Sequence, residues 1–71
     1  MRAARQFVKT CLASHFDVKS PSEEAITRCL DVFAKRDGSW VKVFEGSVEH
    51  ITLLKTILKV AVAKKLFQAG G

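Results

Sequence analysis

The sequence predicts a small all-α domain, with at most one minor short strand. Two observations carry this. Apolar residues recur at three-to-four spacing through 2–16, 21–36 and 47–66, the period of helices that bury one face. Between the last two of these, 39–45 changes period and reads as an extended aromatic segment. With 71 residues and no internal repeat, the chain makes one domain, 1–71, whose last residues 69–71 should fray.

The first helix, about 2–16, places Ala4, Phe7, Val8, Cys11, Leu12 and His15 on one face. The second should start at Ser20-Pro21-Ser22-Glu23. Ser20 can cap the free backbone N–H groups, Pro21 suits the first helical position, and Glu23 can close a capping box. It buries Ala25, Ile26, Cys29, Leu30 and Phe33, with Val32 at the margin. Gly38 is the expected left-handed stop.

From Ser39 to Gly46, Trp40, Lys42 and Phe44 alternate with Val41 and Val43 between glycines, a strand-like pattern. A lone strand needs a partner for its backbone. It would pair with the short stretch 16–19, pair with another copy, or stay an extended loop whose aromatic side chains plug the core. Ser47 then caps the last helix, with Glu49 in its first turn. That helix is the most apolar stretch of the chain. Ile51, Leu53, Leu54, Ile57, Leu58, Val60, Ala61 and Val62 cover an arc far wider than a surface helix needs. At Lys64 and Lys65 the arc ends, and the last turn should leave the core.

Composition narrows the function. Hydrophobic residues make up 48% and charged residues 27%, which argues for a folded domain rather than a disordered chain. Two cysteines are too few for a disulfide framework. Buried, reduced thiols in an intracellular protein, cytoplasmic or nuclear, are the expected state. The net charge of +5 is uneven: residues 50–71 hold Lys55, Lys59, Lys64 and Lys65 with no acid, whereas 20–49 are net acidic. Residues 1–16, basic and amphipathic, also have the composition of a mitochondrial presequence; a plain first helix is preferred, because removing it would take a third of the apparent core.

Sites for chemistry are thin. Cys11 and His15, four apart, could join Cys29 and His50 around zinc, yet the tight cysteine knuckle is missing. Cys11 with His15 is the sole nucleophile–base pair this reading finds, and no phosphate loop or nucleophile elbow accompanies it. No metal, no cofactor and no enzymatic activity is expected. The wide arc and the tryptophan segment point instead to a non-enzymatic protein-interaction module that self-associates as a homo-oligomer. Its anchors would be Trp40, Val43, Phe44, Leu53 and Val60, with Lys55, Lys59, Lys64 and Lys65 steering an acidic partner. The competing reading is a small nucleic-acid-binding protein that contacts phosphates through Arg2, Arg5, Lys9 and the same lysines. Membrane-surface binding ranks below both, since the apolar arc is needed to cover the other helices.

Overall fold

The computed structural model describes residues 2–67. Four helices follow one another: α1 (Arg2–His15), α2 (Glu23–Lys35), α3 (Trp40–Phe44) and α4 (Val48–Ala63). There is no strand among the described residues, so the all-α expectation holds without its minor strand. The expected fraying of 69–71 lies outside the described residues.

The helix faces follow from spacing. α1 buries Ala4, Val8, Cys11 and Leu12, and α2 buries Ala25, Ile26, Cys29 and Phe33, each set three or four residues apart. α2 is the central element, packed on α1 at one side and α4 at the other, while α3 packs on α4. Leu54, Leu58 and Ala61 of α4 complete the shared core.

Residues 40–44 correct the extended reading. They form one short helix capped by Ser39, whose hydroxyl accepts from the Lys42 amide at 3.3 Å. In five residues, alternation and helical spacing both fit, because Trp40, Val43 and Phe44 also lie at i, i+3 and i+4. The helix wins since it satisfies much of its backbone locally, where a strand would need a partner. Trp40 rests on Phe33 with ring centroids 4.7 Å apart. Phe7 meets both Trp40 and Phe44 edge-on, at 6.3 and 5.9 Å.

The helix ends also differ from expectation. α2 starts two residues later than expected: Ser22, not Ser20, is its cap, accepting from the Ala25 amide at 3.4 Å. With Ser22 as the cap, Glu23 stands at the first helical position rather than the third, so it closes no capping box, and its carboxylate meets Arg5 and Lys9 of α1 instead. At the other end Asp37, not Gly38, takes the left-handed conformation (φ 58°). The Asp37 and Gly38 amides then return to the Ala34 and Phe33 carbonyls at 3.3 and 2.9 Å, a Schellman ending. α3 ends the same way through Gly46 (φ 87°) and α4 through Lys65 (φ 61°). The turn at Lys65 reverses the chain, so Phe67, the last described residue, does not leave the core. The Leu66 amide bonds back to the Ala61 carbonyl at 3.0 Å, and Phe67 is buried in the main cluster.

Candidate docking groove

The wide apolar arc of α4 is only partly covered. Leu54, Leu58 and Ala61 are buried, Leu53 and Ile57 are half-buried, and Val60 is 49% exposed. The uncovered side faces α2, where Cys29, Val32 and Arg36 stand at i, i+3 and i+7. Between these two ridges runs an open cleft of about 320 Å³. Leu53, Ile57 and Val60 form its α4 wall, Val32 the α2 wall, and Cys29 and Ala61 the floor.

Leu66 closes one end. The left-handed Lys65 folds it back over the last turn of α4, and there it also borders Ser22, Ala25 and Arg28 at the start of α2. The C-terminal end of α4 therefore lies beside the N-terminal end of α2, and the two helices run antiparallel. Arg36 and Lys64 consequently stand at opposite ends of the cleft. No acidic side chain lines it, and Thr56 is its uncharged polar residue. Among the described residues neither cation takes part in an ion pair.

The five expected anchors separate. Leu53 and Val60 line the cleft. Trp40 and the 47% exposed Phe44 belong instead to the aromatic cluster over Phe7 and Phe33. Val43 needs correction: at 2% exposure it is part of the core, because the helical turn of α3 points it inward. Val32, Arg36, Ile57 and Leu66 were not among the expected anchors. The i, i+3, i+7 spacing of Cys29, Val32 and Arg36 was visible in the sequence; the return of Leu66 was not.

The basic residues separate too. Arg5 Nη1 lies 2.9 Å and Lys9 Nζ 2.7 Å from the carboxylate of Glu23, and Arg5 also donates to Thr27 Oγ1. The hydrogen bond from Lys9 is the largest cause holding the Glu23 carboxyl below its ordinary range; desolvation opposes it, and the charges of Lys9 and Arg5 with the Arg5 hydrogen bond add to the lowering. Arg2 borders the same cluster. Lys55 and Lys59 are exposed on α4, Lys64 is its C-cap, and Lys65 is the left-handed residue.

Cys11, His15, Cys29 and His50 do not converge. Both thiols are buried, whereas His15 is exposed and His50 lies over its own helix cap. No group of three or more metal-ligating side chains occurs among the described residues. Burial pushes the Cys11 thiol up, with Lys55 pulling the other way, and pushes Cys29 up to about 11. Neither is an activated nucleophile. Ser47 and His50 form a closer pair, Oγ to Nδ1 at 2.9 Å. The same Oγ accepts the His50 amide as the cap of α4, and neither residue lines the clefts described here.

No protein-family model, curated protein or solved structure matches the chain. No helix among the described residues is long and apolar enough to cross a membrane.

Proposed function

We propose that the chain is a non-enzymatic protein-interaction module whose α2–α4 groove receives a helix of a protein partner. The observation that carries this is the uncovered aliphatic rim between two helices, with Val32, Val60 and Leu66 left 39–49% exposed. Two parallel ridges with three-to-four spacing are the natural seat for a third helix presenting the same spacing. The intracellular setting belongs to the same proposal, since Cys11 and Cys29 are free thiols.

The test is a titration of isotope-labelled protein with amphipathic helical peptides of varied flanking charge. Amide shifts should concentrate on α2, α4 and Leu66. If no peptide in the set moves those resonances, the groove is not a docking site and the reading fails.

Self-association is a second reading, supported by a different surface. Val41, Phe44 and Val48 are 65%, 47% and 78% exposed, and Lys42, Glu45 and Glu49 beside them in sequence carry both signs. A patch of mixed charge can face its own copy across a two-fold axis without net repulsion. Sedimentation of the wild type against Phe44→Glu checks it: a dimer should dissociate in the variant, and a wild-type monomer at high concentration ends this reading. The nucleic-acid alternative draws less support, because Arg5 and Lys9 already meet Glu23.

A further inference from the structure

Resting on the docking reading above, we infer that the occupant of the groove is an acidic amphipathic helix of about three turns. Its apolar stripe would lie between Val32 and Val60, and its carboxylates would meet Arg36 at one end and Lys64 at the other.

The length follows from the walls. On α2 the lining runs from Cys29 to Arg36, and on α4 it runs further, from Leu53 to Lys64, eleven residue steps or about 16 Å of helix, which sets the length of the groove. A partner helix of equal length presents apolar side chains at i, i+3 or i+4, i+7 and i+11. The form of the partner follows from the architecture. No sheet edge exists among the described residues to receive an extended peptide. A small apolar ligand would be better served by an enclosed pocket than by a trough whose rim residues stay exposed.

The charge follows from the rim. Arg36 and Lys64 border the groove, and no carboxylate of the described residues does. Carboxylates at both ends of the incoming helix would be steered in and held in register. A basic helix would bring like charges together at both ends. The same argument disfavours a second copy of this chain in this groove. A two-fold contact there would set Arg36 and Lys64 of one molecule against the same cations of the other.

The experiment uses the full chain and two fluorescent helical peptides with one shared leucine stripe, one flanked by glutamate at both ends and the other by lysine. Binding is followed by anisotropy at low and high salt. The glutamate peptide should bind at least about tenfold more tightly at low salt, and salt should shrink the gap. The double variant Arg36→Glu with Lys64→Glu should reverse the preference, and Val60→Asp should abolish binding of either peptide. Should Val60→Asp disturb helicity by circular dichroism, Val60→Ala replaces it and should weaken both peptides several-fold.

Equal affinity for the two peptides overturns the charge assignment while leaving the groove as a docking site. Failure of both peptides overturns the docking reading itself. A wild-type dimer that dissociates in Val60→Asp, or a fluorescent oligonucleotide displacing the glutamate peptide, also overturns the inference, by naming a different occupant.

Discussion

The backbone of Gly38 lies directly against Phe33. Its amide donates to the Phe33 carbonyl at 2.9 Å, and a Cβ at position 38 would stand 2.5 Å from that oxygen and 2.6 Å from two carbons of the ring. Phe33 is fully buried and itself supports Trp40. Gly38→Ala should therefore cost about 1–3 kcal/mol, as overpacking of a tight core does. Urea denaturation reads it; a change within about 0.5 kcal/mol, the usual range of a neutral surface substitution, would show that the turn simply moves aside.

Two other turns separate backbone conformation from space. Gly46 has φ 87° and nothing within 4 Å of an added Cβ, so Gly46→Ala should destabilise by about 1 kcal/mol through conformation alone. Lys65 adopts φ 61° with a side chain, so Lys65→Gly should stabilise by about 1 kcal/mol. Thermal melts of the pair should move in opposite directions. Parallel shifts would contradict this account of how α3 and α4 end.

Glu23 ties α1 to α2 and makes that tie pH-dependent. Its carboxyl is held low in the folded state by Lys9 first and Arg5 second. The stabilisation is complete above the unfolded glutamate pKa of about 4.3 and is lost as pH falls through the lower folded value. With Glu23 exposed, the effect should be modest and screened by salt. Carbon-detected titration should place Glu23 below an ordinary glutamate, and Lys9→Ala should raise it more than Arg5→Ala. An unshifted Glu23 would mean that the bridge does not persist in solution.

Cys29 forms part of the groove floor yet is 3% exposed, with its thiol pushed up to about 11 by burial. At neutral pH its thiolate fraction is about a hundred-fold below that of an ordinary thiol. Maleimide labelling of the native protein should be slower than labelling of the unfolded chain by at least that factor. The raised value also means that stability declines as pH climbs from the unfolded thiol pKa of about 8.5 towards 11. Native labelling at the rate of a free peptide thiol would remove Cys29 from the interior.

Periodicity alone determined the all-α class, the buried faces of α1 and α2, and the Ser47 cap of α4. Those features depend on side chains within one or two turns of each other, so neighbouring residues encode them. It also marked α4 as carrying more apolar surface than one face needs. Tertiary packing decided the rest. The five residues of α3 are compatible with two periods, and their seat on Phe7 and Phe33 accompanies the helical one. Phe67 returns to the core because Lys65 accepts a left-handed backbone, which nothing in the order Lys-Lys-Leu-Phe requires. Glu23 meets two cations 18 and 14 positions earlier in the chain, a pairing that exists only once α1 packs on α2. The groove itself is a relation between two helices: each ridge is written locally, but their antiparallel spacing, and the cations at its two ends, come from packing across the core.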